Sequence, residues 1–238
     1  MKKIGVVGHG IVGSAITHGF KKLGHELFIH DINMNTTIDI VAATEICFIC
    51  VPTPSEEDGR CNTQIVQQVI SDLSEMNYSG IVVIKSTVEP GTTEKMINLY
   101  SNLNLAFVPE FLRERCAVSD FIDNHDLCVI GTHSGEDYKC IKAAHGHFPD
   151  KFVMCTPSEA ELVKYFNNIY NATLITFANN FYEVCESMDV NYANVKNAIV
   201  KREHITDNYL DCNKNFRGFG GACLPKDTKA IAHLVKKK

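Results

Sequence analysis

The segment Gly8-His9-Gly10-Ile11-Val12-Gly13 sets the tightest limit on what this chain can fold into. It follows a short apolar run, Lys2 to Val7, and leads into Ile11 to Leu23, which has helical spacing and a stop signal at Gly24. A second strand, Glu26 to His30, ends at Asp31, eighteen residues beyond Gly13. A glycine turn between a strand and a helix, with an acidic residue at the end of the next strand, is a dinucleotide-binding pattern. Gly8 permits the tight turn, Gly10 lets the backbone approach a pyrophosphate, and Gly13 lets the helix pack closely on the sheet. The helix start at Ile11 and Val12 offers N–H donors and partial positive charge to an anion. Asp31 would accept hydrogen bonds from the ribose hydroxyls and repel a 2′-phosphate, which favours NAD over NADP. The competing reading is a glycine turn that only permits packing, with Asp31 an ordinary strand end.

Strands and helices alternate beyond this point. Ile46 to Val51 is a strand broken by Pro52 and Pro54, and only the short segment Thr36 to Ala43 connects it to the second strand. Asn62 to Met76 has helical spacing through Ile65, Val69 and Leu73. Gly80 to Lys85 reads as a strand covered on both faces, Thr92 to Tyr100 as a helix, and Leu105 to Val108 and Leu127 to Ile130 as strands. A helix near Glu136 to His145 and a strand Phe152 to Met154 close the unit. The pattern predicts an α/β fold: a Rossmann-type, mostly parallel sheet with helices on both faces. Ser158 and Glu161 then have capping-box spacing, and a helix without Pro or Gly can run from there to about Met188. Asn191 to Arg202 is a further helical stretch, and Pro225 to Lys236 a closing helix with Pro225 at its first position and Leu224 as N-cap. The expected organisation is a nucleotide-binding domain over 1–155 and a helical central domain over 156–238, whose long helix needs an apolar partner and predicts a homodimer.

At 238 residues the chain can bury a core without staples. Its 23 basic and 28 acidic side chains leave a formal charge of −5, which gives no electrostatic footprint for nucleic acid or an anionic membrane. No apolar run approaches the ~18 residues of a membrane helix, and the N-terminus has no signal-type core, so a cytoplasmic protein is expected. The ten cysteines are therefore expected as small hydrophobes rather than a disulfide framework. Cys47 and Cys50 form a CxxC, but inside a strand their side chains face opposite sides, so neither zinc nor any other metal site is expected.

Cys223 differs, because it lies just before the closing helix, next to Gly218, Gly220 and Gly221 and close to Lys226. A helix N-terminus and a lysine both favour a thiolate; the alternative is a buried cysteine in a tight helix entry. Lys164 and Asn168 stand four apart and share a helix face, suited to a developing alkoxide or to a solvated polar stripe. Glu110 and Glu114 follow the strand ending at Val108, and Thr87 the strand ending at Lys85. All three belong to the rim where open α/β sheets bind ligands. Thr87 can hydrogen-bond a ligand on the nicotinamide side, or simply serve the helix entry with Pro90 and Gly91.

Taken together, GHGIVG at 8–13, VPTP at 51–54, STVEPGTT at 86–93, PEFLRE at 109–114, SEAELVKYFNN at 158–168 and GFGGACLPKD at 218–227 resemble the nucleotide-sugar dehydrogenase family. That family is typified by UDP-glucose 6-dehydrogenase and its GDP-mannose and UDP-N-acetyl-sugar relatives. The resemblance implies NAD as cofactor and a nucleotide sugar as substrate. It implies Cys223 as nucleophile, Lys164 and Asn168 near the reacting oxygen, Asp227 holding water, Thr87 beside the reaction centre, and Glu110, then Glu114, as general base. Val51, Pro52 and Thr53 join the cofactor side. Phe111, Leu112, Arg113, Phe219, Gly220 and Lys226 join Glu110, Glu114, Lys164 and Asn168 on the substrate side. Members oxidise a primary alcohol to a carboxylate in two NAD-dependent steps, through a cysteine thiohemiacetal and thioester. Relatives continue into a further nucleotide-fold domain and have a longer segment between Asp31 and Ile46. The expectation is therefore a form without the C-terminal UDP-binding domain. Two alternatives stand beside it: an NAD-binding subunit with little activity, and a single-step dehydrogenase of a small hydroxy acid. The yield of NADH per substrate separates the three.

Overall fold

The computed structural model describes residues 1–221 and 223–236; Ala222, Lys237 and Lys238 lie outside the described residues. Among the described residues, seven strands form one sheet: β1 (Lys3–Val7), β2 (Glu26–His30), β3 (Ile46–Ile49), β4 (Ile81–Ile84), β5 (Asn104–Phe107), β6 (Leu127–Gly131) and β7 (Lys151–Cys155). Their spatial order is β2-β1-β3-β4-β5-β6-β7. All neighbours run parallel except β5 and β6, which meet antiparallel with Phe107 opposite Gly131. The order reverses at β1, between β2 and β3, and open sheets of this kind bind ligands at such a point, beyond the carboxyl ends of the strands.

Helices α1 (Ile11–Lys22), α2 (Gln64–Glu75), α3 (Thr92–Leu99), α4 (Ala117–Ile122) and α5 (Gly135–His145) flank the sheet. Strands β3 and β4 are buried at every residue, as continuous apolar runs between two helical layers must be. One face of the sheet packs Ile49, Val82, Ile84 and Phe107 with Val66, Ile70 and Leu73 of α2. The other packs Val6, Phe48 and Val83 with Ile16 and Phe20 of α1, Phe121 of α4 and Ile141 of α5. Cys47 lies in the first cluster and Cys50 packs against the second, so the CxxC pair points to opposite faces. Burial pushes the Cys50 thiol up to about 12 and the Cys47 thiol higher still, so neither supplies a thiolate at neutral pH. The brief connection before β3 crosses the sheet on a 3-10 turn, Ile38–Val41, in place of a full helix.

By compactness the chain divides into Met1–Lys164 and Tyr165–Lys238. The sheet-to-helix change at residue 155 marks the end of β7, whereas the compactness cut falls inside α6 (Pro157–Ser187). The start of α6 corrects the capping box expected at Ser158 and Glu161. Glu159 accepts a hydrogen bond from Thr156 N (2.8 Å), and Glu159 N donates to Thr156 Oγ1 (3.4 Å). Pro157 therefore occupies the first helical position, where its missing N–H costs nothing. Glu161 turns inward instead, with the consequences described below.

The second unit contains the rest of α6, α7 (Tyr192–Ile199) and α8 (Leu224–Lys236). Ala178, Cys185, Tyr192, Leu210 and Cys212 form its small core. Tyr192 Oη donates to Leu210 O at 2.7 Å, which ties the irregular segment back to α7. No helix among the described residues is long and apolar enough to cross a membrane.

Candidate functional site

The glycine turn has the geometry its residue types suggest. Gly8 sits at φ +91°, and a Cβ there would lie 2.5 Å from Cys50 O at the end of β3. A Cβ on Gly13 would lie 2.0 Å from Gly8 O, so α1 packs onto the turn only because both are glycine. Gly10, at the N-cap of α1, has nothing within 4 Å of its would-be Cβ, which leaves an open approach over the helix start. The first turn of α1, beginning at exposed Ile11 and half-buried Val12, carries no acidic residue and no side-chain cap. Its amides are therefore open to an anion. Asp31 accepts from His9 N (2.7 Å) and Asn33 N (2.8 Å), and these backbone donors hold its carboxyl below the usual range. The cradle fits a dinucleotide pyrophosphate with an ionised carboxylate at the ribose end. Val51, Pro52 and Thr53 follow the carboxyl end of β3; Val51 O accepts from Ser86 Oγ (2.7 Å). That bond anchors the start of the 86–93 loop, which carries half-buried Thr87.

Lys164 is 4% exposed and its ammonium is gripped twice by Glu110. Nζ donates to Glu110 O at 2.6 Å and to Glu110 Oε1 at 2.8 Å, while Glu110 Oε2 accepts from Leu112 N at 2.7 Å. Burial alone would raise the Glu110 carboxyl, but the Lys164 charge and hydrogen bond, together with the Leu112 amide, hold it net below its ordinary value. The pair thus places an ammonium, half-ringed by the Phe111 side chain (5.9 Å to the ring centroid), beyond the end of β5. Arg113 is held elsewhere: it donates to Asp120 through Nε (3.0 Å) and Nη2 (2.7 Å), which lowers the Asp120 carboxyl to about 2. Leu112 packs into the core, and Glu114 stands exposed at the start of the 3-10 turn Glu114–Cys116.

In the second unit, Asn168 Nδ2 donates to Asp227 Oδ2 (2.6 Å), and Lys226 Nζ donates to Asp227 Oδ1 (2.5 Å). Asn168 and Asp227 are both buried, so a polar network crosses from α6 to α8 within this unit. Helix α8 begins at Leu224, and Asp227 N donates to Cys223 O (2.9 Å). Cys223 therefore stands at the cap position itself, and Leu224 is already helical. That corrects the expected N-cap by one residue: Pro225 takes the second helical position, where its absent N–H is equally harmless. Cys223 is exposed, not buried in a tight entry, and Phe219 and Gly220 lie in the loop before it.

Two polar residues that the sequence did not single out, and a third that it offered only as a capping residue, are built into these surroundings. Asp120 fixes Arg113. Lys85, 3% exposed at the end of β4, donates to Val108 O and Pro109 O (3.5 Å each); burial pulls its ammonium below the ordinary lysine value, against Cys128, Cys50 and Glu110. Glu161, fully buried, accepts from Gly91 N (2.5 Å), Thr93 N (2.7 Å) and Thr93 Oγ1 (2.6 Å). A glutamate beside Ala160 and Val163 was the available sign of the last.

Comparison with known proteins matches two consecutive models of one family. "UDP-glucose/GDP-mannose dehydrogenase family, NAD binding domain" covers residues 34–149, and the same family's "central domain" covers 158–238. The chain is 30% identical to YtcA of Bacillus subtilis over 99% of its own length and 64% of that protein. It is 34% identical to the UDP-glucose 6-dehydrogenase of Rickettsia felis over 81% of its length and 44% of that enzyme. The solved structure of a UDP-glucose dehydrogenase from Pyrobaculum islandicum superposes with a TM-score of 0.91 at 28% identity, covering all of this chain and 64% of that one. The chain thus spans less than two thirds of the length of these relatives.

Proposed function

The chain belongs to the UDP-glucose/GDP-mannose dehydrogenase family, with that family's NAD-binding domain, and on that footing we propose that it oxidises the C6 primary alcohol of a nucleotide sugar to the carboxylate. The observation that carries the proposal is the doubly gripped Lys164: a buried ammonium at the rim of a dinucleotide-binding sheet. An apolar core gains nothing from such a charge, and a developing alkoxide gains a great deal.

Bound NAD supplies a hydride acceptor for each of two successive oxidations. The C6 hydroxyl gives its proton to solvent water, and Lys164 and Asn168 hold the C6 oxygen while it carries negative charge, first as alkoxide and then in the tetrahedral adducts. Cys223, as thiolate, adds to the C6 aldehyde to form the thiohemiacetal, and the second hydride loss leaves a thioester on the sulfur. Asp227 orients the water that attacks the thioester; the C–S bond breaks and the thiolate returns. Glu110 takes the water proton once Lys164 turns its N–H groups to the acyl oxygen, with Glu114 as second candidate. Thr87 serves the nicotinamide side, and Phe111, whose ring lies beside the Lys164 ammonium, serves the sugar side. The exposed Phe166, Tyr170, Phe177 and Phe181 of α6 support a homodimer that covers them.

Incubating the protein with NAD and UDP-glucose, while following NADH and the uronic acid, tests the reading. Two NADH per sugar are expected, and Cys223→Ser should abolish acid formation. One NADH per substrate, or the same acid from the serine variant, overturns the thioester route.

A further inference from the structure

Gly91, the N-cap of helix α3, is in the left-handed region at φ +94° and provides no side-chain cap of its own. Its orphan amides are satisfied from another helix. Glu161 Oε2 accepts from Gly91 N, and Oε1 accepts from both Thr93 N and Thr93 Oγ1, all within 2.7 Å. Burial raises the Glu161 carboxyl, opposed by these three donors. A carboxylate at a helix N-terminus is also favoured by the helix dipole. Glu161 lies three residues before Lys164, nearly one turn away on α6. The loop it grips is the loop that carries Thr87, whose other end is pinned by Ser86 Oγ to Val51 O.

We propose that Glu161 is a positioning residue for the reaction, fixing the turn of α6 that presents Lys164 against the Thr87 loop. It touches neither substrate nor cofactor. Its carboxylate is a rigid, three-point link that sets how far the Lys164 ammonium stands from the cofactor-facing threonine. A displacement of about 1 Å at such a centre costs on the order of 10²-fold in rate. The proposal rests on the function given above.

The test compares Glu161→Gln with Glu159→Gln. Both remove a carboxylate from the first turns of α6, but Glu159 caps the exposed side and faces no loop of the site. With UDP-glucose and NAD, Glu161→Gln should lower kcat by about 10- to 100-fold. Its Kd for NAD should stay within about twofold, because the glycine cradle does not involve Glu161. Glu159→Gln should keep its kcat even if it unfolds at a lower temperature. Hydrogen exchange gives a readout independent of turnover. Glu161→Gln should lose protection at Gly91 to Thr93 and also at Leu112, whose N–H donates to Glu110. Thr93→Val, which removes one of the three donors, should show the same pattern more weakly and serves if Glu161→Gln does not fold. Exchange changes confined to 91–93, or an unchanged kcat, overturn the proposal. A wild type without turnover on any nucleotide sugar refutes the function, while the Leu112 exchange still decides the role of Glu161.

Discussion

Lys164 and Glu110 are a pair in which neither member can be removed cheaply. Each is nearly buried, and removing one leaves the other's charge uncompensated, at a cost of about 3–5 kcal/mol. Glu110→Gln and Lys164→Met should each lower stability by that order, and the double variant by clearly less than the sum, as urea unfolding of the four proteins will show. Gly13→Ala presents a different conflict, since its Cβ would meet a backbone oxygen that cannot move aside. We expect NAD affinity to fall at least about tenfold by calorimetry, with a lowered Tm. Gly8, Gly13 and Asp31 were legible in the sequence because their constraint is local: a turn, a helix and a strand end within one stretch of chain. Glu161, Asp120 and Lys85 were not, because each is defined by a partner on another element that spacing does not reveal.

The strands and most helices could be read from apolar runs and periodicity, because a two-sided sheet demands them. Helix α4 shows no clear period, because its six residues are too few to display one, and the antiparallel joint between β5 and β6 has no local signature. The start of α6 shows why caps are harder. Thr156 and Glu159, and Ser158 and Glu161, have the same capping-box spacing, and the overlap is resolved only by Pro157 taking the first helical position. Thr156→Ala should therefore cost about 1 kcal/mol, and Ser158→Ala close to nothing, measured by chemical denaturation. The reverse ranking would restore the box at Ser158.

For the molecule as a whole, acid is the weak side. His145 is fully buried, its Nδ1 shares a hydrogen with Ile141 O, and its Nε2 has no hydrogen-bond partner among the described residues. Burial holds it well below its ordinary value, and burial likewise pulls neighbouring His125 down to about 4. Both imidazoles are neutral in the folded protein and protonate more readily when it unfolds, so the stability they allow is present above about pH 6.5 and is lost as pH falls below it. The urea midpoint should drop steadily from pH 7 to pH 5, and His145→Phe should flatten that slope. Sedimentation at working concentration should find a dimer; a monomer would leave the aromatic face of α6 without the cover assigned to it. The early turns of α6 also bear on how such a chain can be taken apart. Glu161 and Lys164 are packed with the nucleotide-binding sheet although they open the helix that continues beyond it. A cut placed where the last strand ends would strip the sheet of both and strand a carboxylate and a helix start without their counter-groups. Any shuffling of the nucleotide-binding half between genes must therefore carry roughly two turns of the following helix along with it.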